Sequence, residues 1–217
     1  MKQFENNTTT MIKAAVIDNG IVGLRESYLD QPHVQYDFLP THQATAPDFS
    51  PYDLLVVPNG TDQVAMYRWR KAVQSFLNQG KTLFCFDGWF TNWLPGSQWL
   101  ADNSKKTIDI RYTLKADRYG LFEGVDLDHF IFSNGISGWW ACGYIRPAPQ
   151  AEVVVADTWG RCIMLLDEQT TPGTIFATAS GPLGDYAYGT TDDAGSMEGL
   201  TRLYHNLLTK LIKTPVS

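Results

Sequence analysis

Apolar residues in this chain gather in short runs, and turn residues separate one run from the next. Ile12–Ile17 (IKAAVI) is β-branched and ends at Asp18-Asn19-Gly20. Val34–Leu39 alternates and closes at Pro40, while Leu54–Val57 is wholly apolar and breaks at Pro58-Asn59-Gly60. Thr82–Phe86 runs into Asp87-Gly88, and Val153–Ala156, Cys162–Leu166 and Thr174–Ala179 follow later. Each run is of strand length and bounded by strand-ending residues. A helical period appears between them. Helix-like sequence follows Gly20 to about Leu29, where Gln31-Pro32 stops it. A longer helix is predicted over Val64–Asn78, ended by Gly80, with Val64, Tyr67, Trp69, Val73, Phe76 and Leu77 inward and Arg68, Arg70 and Lys71 outside. A last helix, Ser196–Lys213, carries Leu200, Leu203, Tyr204, Leu207, Leu208, Leu211 and Ile212 on one side.

Strand, helix, strand over 54–86 reads as a parallel β-α-β unit. Its two strands end in turns on the same edge, the edge where open α/β sheets place ligands. The pattern therefore predicts a doubly wound, mostly parallel α/β sheet of flavodoxin-like layout. Residues 1–11 read as a flexible polar tail, with Met11 as an alternative start, and 12–213 as a single domain. Within it the βα rhythm lapses over 89–150, which is rich in Trp, Gly, Pro and Asn and reads as a cap or insertion. The cap holds one alternating strand near Thr107–Leu114 and a short apolar stretch at His129–Phe132. Trp159-Gly160 and Thr171-Pro172-Gly173 then join the last three strands as turns.

Composition narrows the function classes. The 217 residues are 44% hydrophobic and 13% aromatic, enough for one sizeable core. A net charge of −6 and no basic run argue against nucleic acid or an anionic membrane as partner. Three cysteines without a CxxC pair make neither a disulfide framework nor a zinc site. The polar N-terminus lacks a signal peptide's apolar stretch, no run approaches a membrane span, and the reading is cytoplasmic.

Several phrases resemble the class I glutamine amidotransferase-like superfamily: VIDNG (16–20), YDLLVVPNG (52–60) and FLNQGKTLFCFDG (76–88). The stretch from Ala151 to Gly189 resembles the late hairpin and sixth strand of trehalose-utilisation-like and related noncatalytic branches. The resemblance spans about residues 12–212. It implies a nucleophilic cysteine in a Gly-x-Cys-x-Gly elbow after the central strand, yet here that turn reads Cys85-Phe86-Asp87-Gly88-Trp89. Aligning Gly88 with the second glycine puts Phe86 at the nucleophile's place. Cys85 lies one residue inside the strand, on the opposite face. The histidine element that the family carries after its last strand is also missing, where Ser180-Gly181-Pro182-Leu183-Gly184-Asp185 stands instead. A thiolate, an imidazole and an orienting carboxylate are all needed for glutaminase chemistry, so a conventional glutaminase is not expected.

Other groups are weighed on the same terms. His33 and His42 flank a strand in turn-rich sequence, and His205 sits on the last helix. His129 follows Asp126 and Asp128 in VDLDHF, but no second cluster supports a metal, and neither metal nor cofactor is expected. The strand-end turns are stronger candidates. Asp18, Asn19, Asn59, Gly60, Asp87, Gly88 and Ser180 should gather on one edge, where glycine admits a ligand to the backbone and Asp and Asn accept hydrogen bonds. Trp89, Phe90, Trp93 and Trp99, with Trp139 and Trp140 in the cap, suit stacking on sugar rings or flat heterocycles, packing of the cap, or a partner interface.

Two readings remain open. One is a noncatalytic module that binds a small polar or sugar-like ligand or assembles with a protein partner or its own copy through exposed aromatics, its elbow plugged by Phe86 and Trp89. Its ligand set is Asp18, Asn19, Asn59, Gly60, Asp87, Gly88, Trp89, Trp93, Trp139 and Ser180. The other is an enzyme of altered chemistry, a hydrolase or isomerase of a small polar metabolite, acting through Asp87 with Asp185 or Cys85 as further candidates.

Overall fold

The computed structural model describes residues 11–86, 88–133, 136–137, 142–179 and 194–212. Its parallel half comprises β1 (Ile12–Asp18), β2 (Val34–Pro40), β3 (Leu54–Val57) and β4 (Thr82–Phe86), with a fifth strand, Thr174–Thr178, beside β4. β1 pairs with both β2 and β3, and β4 lies between β3 and Thr174–Thr178, all in parallel register. β3 and β4 are buried on both faces, which explains why Leu54–Val57 and Leu83–Phe86 read as unbroken apolar runs.

Two short strands from the 89–150 region, β5 (Gln98–Ala101) and β6 (Tyr112–Leu114), join the same sheet, while β7 (Phe132–Ser133) and β8 (Ile136–Ser137) pair separately. They are followed by β9 (Gly143–Arg146), β10 (Glu152–Asp157), β11 (Cys162–Asp167) and β12 (Thr174–Thr178). The order across the sheet is β2-β1-β3-β4-β12-β11-β10-β6, antiparallel beyond β12. β5 pairs with β9, and β9 touches the main sheet at Ile145↔Cys162 of β11. The alternating stretch at 107–114 is mostly not strand: Thr107–Asp109 is a 3-10 turn and only Tyr112–Leu114 pairs. His129 likewise falls in a 3-10 turn, Leu127–Phe130.

The first crossover helix is a single turn, α1 (Leu24–Ser27). The residues before it explain its brevity. Asp18 accepts a hydrogen bond from the Gly20 amide (3.0 Å) and Asn19 accepts one from the Ile21 amide (2.9 Å), so side chains satisfy a backbone that would otherwise enter the helix. Helix α2 (Gln63–Asn78) begins at Asp62, whose carboxylate accepts from the Val64 and Ala65 amides at 2.8 and 3.1 Å. Its buried face is Ala65, Met66, Trp69, Val73, Phe76 and Leu77. Val64 and Tyr67 point to solvent, contrary to the periodicity reading, because Met66 and Trp69 already fill the stripe over the sheet.

The closing helix, α3 (Ala194–Leu211), covers the opposite face through Leu200, Leu203, Tyr204, Leu207, Leu208 and Leu211. Tyr204 meets the rings of Phe84 and Phe86 at 6.3 and 6.2 Å, so the even-numbered residues of β4 face α3 and Leu83 and Cys85 face away. The hydroxyls of Tyr36 and Tyr204 bond at 2.8 Å in the interior. Residues of the 89–150 region, among them Trp89, Trp93, Leu94, Ile110, Leu121 and Phe130, belong to the same continuous core as the sheet. No helix among the described residues is long and apolar enough to cross a membrane.

Candidate functional site

The turns after β1, β3 and β4 stand side by side because their strands are adjacent and parallel. The first two are tied together: the Asn19 side-chain amide donates to the Asn59 carbonyl at 2.5 Å. Thr61 braces the second turn by donating to the Pro58 carbonyl at 2.6 Å. Gly60 lies directly under Ile21, whose Cδ1 would be 2.9 Å from a Cβ at that position. Asp18 is already engaged, accepting from the Gly20 amide and pairing with Arg25 at 3.0 Å. The Arg25 guanidinium in turn lies 4.4 Å above the Phe38 ring. The Asp18, Asn19, Asn59 and Gly60 group thus shares one edge.

The turn after β4 is built differently from the sequence expectation. The side chain seated on it is Trp99 of β5. A Cβ on Gly88 would come 2.6 and 2.7 Å from Trp99 Cδ2 and Cζ2, and one on Gly143 would come 2.6 Å from Cζ2. The indole therefore lies against two backbones that approach only because both residues are glycine. Its Nε1 donates to the Ala179 carbonyl just past β12 at 3.3 Å, and the Phe90 ring meets it edge-on at 4.9 Å. Phe86, expected to plug the elbow, is instead packed in the α3 face. Trp89 is buried, 2% exposed, with an indole Nε1 that has no hydrogen-bond partner among the described residues. Trp93 is equally buried and donates to Gln63 Oε1 at 3.0 Å, while Thr91 donates to the Gln63 carbonyl at 3.0 Å. The 88–93 segment is thereby laced onto the start of α2, and these two tryptophans are packed inside and do not line an open edge. Phe90 is the exception, at 71% exposed. Asp87, Trp139, Trp140, Ser180 and Asp185 lie outside the described residues.

Among the described residues, nucleophile and base are not brought together. Cys85 is buried within β4, its register partners being Val57 and Ala177. Cys162 is buried too, and burial, with Asp157 adding to it, pushes its thiol up to about 12, away from thiolate formation. Cys142 is exposed at the start of β9. The His33 carbonyl accepts from the Ile12 amide, which puts His33 at the beginning of β1, the opposite edge of the sheet, with the His205 ring 6.1 Å from it. His42 is exposed beyond the end of β2, a strand that lies three spacings, about 14 Å, from β4 across the sheet. His129 rests against Gly199 of α3, with Asp126 at 3.8 Å. Among the described residues no three His, Cys, Asp or Glu side chains are grouped to hold a metal ion. A shallow depression of about 550 Å³, lined by Leu114, Phe122, Val125 and Leu127, lies at the far antiparallel end of the sheet.

Sequence reasoning named Trp99 only as one of a cluster of aromatics and missed Gly143 altogether. The contact joins three segments far apart in the chain, and no local pattern marks it.

No protein-family model matches the chain, and no curated protein matches it. Solved structures do. A cytoplasmic protein from Salmonella typhimurium LT2 superposes with a TM-score of 0.60 at 13% identity, covering 93% of this chain and 100% of its own. A glutamine amidotransferase from Thermotoga maritima superposes with a TM-score of 0.62 at 10% identity, covering 94% and 99%. With the parallel order β2-β1-β3-β4-β12 and its antiparallel extension, these superpositions establish the architecture: an α/β, class I glutamine amidotransferase-like fold.

Proposed function

We propose that this chain is a cytoplasmic amidotransferase-like domain without glutaminase activity, of a divergent branch resembling trehalose-utilisation-like proteins. It uses the strand-end edge to bind a small polar or sugar-like ligand, and it is one domain over 12–213 with 89–150 as the cap. The observation that carries this reading is the seat of Trp99 on Gly88. The indole occupies the approach to the turn where a nucleophile would have to be reached, and Cys85 faces the other side of the sheet. The placement of the histidines supports it further: His33 lies at the opposite edge of the sheet, and His42, at the same edge, follows a strand three places away from β4. Binding is supported by the partly exposed polar turns at 18–20 and 59–62, which the Asn19–Asn59 bond holds as one preorganised surface.

Two measurements test the reading. Purified protein incubated with glutamine should release no ammonia; a robust release abolished by Cys85→Ala overturns the noncatalytic part. Amide NMR titration with a panel of sugars and polar metabolites should shift residues 18–21 and 59–62 together. A panel that shifts only residues elsewhere overturns the placement of the site.

A further inference from the structure

Among the described residues eleven large hydrophobic side chains are exposed, and five of them, Ile21, Val22, Val64, Tyr67 and Phe90, crowd onto one place. Single exposed apolar residues are ordinary on a folded surface, whereas a contiguous group marks an interaction site. The contacts that join these five are explicit. Ile21 sits on Gly60, the Gln63 side chain donates to the Thr61 carbonyl at 3.2 Å, and Thr91, the neighbour of Phe90, donates to the Gln63 carbonyl. The loop after β1, the first turn of α2 and the segment after β4 therefore form one continuous surface, on which Val22 is 89% exposed and Val64 and Phe90 are each 71% exposed.

Charge sets the character of this surface. Val64, Tyr67, Arg68 and Lys71 stand at helical spacing, so they line one exposed stripe of α2, about 10 Å long, opposite the buried Ala65, Met66, Trp69 and Val73. α2 holds three cations, Arg68, Arg70 and Lys71, and no carboxylate, within a chain of net charge −6. Arg25, Arg118, Arg161 and Lys210 each meet a carboxylate, whereas among the described residues none of these three does. Arg70 instead stacks its guanidinium 4.1 Å from the centre of the Tyr67 ring and donates to the Tyr67 carbonyl at 2.6 Å, which holds ring and charge together. Tyrosine and arginine presented beside aliphatic side chains are the commonest anchors of protein interfaces.

We propose that the outer stripe of α2, flanked by Phe90 and the Ile21–Val22 loop, docks an acidic amphipathic helix of a partner protein. The partner's apolar side chains lie against Val64, Tyr67 and Phe90, and its carboxylates reach Arg68, Arg70 and Lys71. Cations without carboxylates, set beside exposed apolar groups, are complementary to that chemistry. An isologous dimer would bring two basic stripes together, and like charges oppose it. An anionic membrane is disfavoured by the net charge of −6 on the chain as a whole. Docking of this kind neither requires nor excludes a small ligand at the 18–20 and 59–62 turns.

The test pans a displayed library of random peptides of helix-forming length against the full chain, with an Arg68→Glu/Lys71→Glu variant as counter-target. Wild type should enrich sequences that combine Asp or Glu with apolar residues three and four apart, and the variant should not. The most enriched sequence, made as a synthetic peptide, should bind the variant at least about tenfold more weakly than wild type and lose affinity as salt rises. Tyr67→Ala should weaken it by about tenfold or more as well. Amide NMR shifts on titration of wild type should fall on residues 64–71 and 90. Tyr67, Arg68 and Lys71 are all exposed, so the variants should keep the wild-type unfolding midpoint in urea. Should the charge-reversed variant not fold, the wild-type shifts decide, and shifts confined to other residues overturn the docking face. Enrichment of neutral or basic sequences, no enrichment, or equal binding by wild type and variant overturns the proposal. So does self-association of the free chain that Arg68→Glu/Lys71→Glu abolishes, which makes a second copy the occupant. Co-sedimentation with vesicles of equal phosphatidylglycerol and phosphatidylcholine, without peptide binding, overturns it in favour of a membrane. The metabolite titration and the glutamine assay stand or fall separately, because none of the substituted side chains belongs to the 18–20 and 59–62 turns or to β4.

Discussion

Replacing Gly88 with alanine probes the Trp99 seat directly. Gly88 carries no positive φ, so the cost of a methyl group there is steric, arising from the ring atoms 2.6 and 2.7 Å away. Forcing such a contact in a packed region costs about 1–3 kcal/mol. The lower entropy of the unfolded alanine chain returns about 0.4–1 kcal/mol, which leaves a net loss of about 1–2 kcal/mol. In a domain of this size that is a fall in Tm of about 2–8 °C. Trp99→Ala removes a partly exposed ring and should cost about 2–3 kcal/mol, less than truncating a fully buried tryptophan. In the double variant the methyl group enters the space the ring has vacated, so Gly88→Ala should then cost almost nothing. Urea unfolding of wild type, both single variants and the double variant gives the coupling from the midpoints and slopes. Additivity within about 0.5 kcal/mol would refute the stacked geometry. Gly143→Ala is the internal control. Its methyl group meets the Leu100 backbone carbonyl as well as Trp99, so removing the ring should rescue it only in part.

Three further outcomes follow from the packing. Burial, with the Asp30 carboxylate adding to it and the Tyr204 hydroxyl opposing it, pushes the Tyr36 phenol up to about 12 from an ordinary 10.0. The folded state therefore keeps a proton that the unfolded chain releases, and this contribution is full below pH 10 and lost as pH rises to about 12, at up to about 1.4 kcal/mol per pH unit. Unfolding curves of wild type and Tyr36→Phe across that window should differ by this slope, and parallel curves would remove Tyr36 as its source. For the thiols, a chromogenic thiol reagent at pH 8 should find Cys142 promptly in native protein, and all three cysteines only after denaturation; rapid native labelling of Cys85 or Cys162 would contradict their burial. Asp62→Ala should lower stability by about 1 kcal/mol through loss of its bonds to the Val64 and Ala65 amides, and an unchanged unfolding midpoint would show that water replaces this cap at no cost.

The sequence by itself determined the parallel core. Leu54–Val57 and Leu83–Phe86 are apolar throughout because strands covered on both faces favour apolar side chains, and the helix between them must return the chain to start a parallel neighbour. Those facts also placed the turns of Asn19 and Asn59 on one edge. Cys85 could be read as facing away from the turn because side chains alternate along a strand. Local pattern failed where a residue's environment is set by something distant. The outward face of Val64 and Tyr67 depended on which side of α2 met the sheet, and both sides carry apolar residues. The single turn of α1 depended on Asp18 and Asn19 side chains capturing backbone amides, a competition that helical periodicity does not register. The occupant of the elbow was decided by tertiary structure alone. Pairing of β5 with β9 sets Trp99 against Gly143, and Gly88 and Ala179 join them only when that ribbon packs at the end of the sheet, where close packing assigns the space to the one ring that two glycines leave room for.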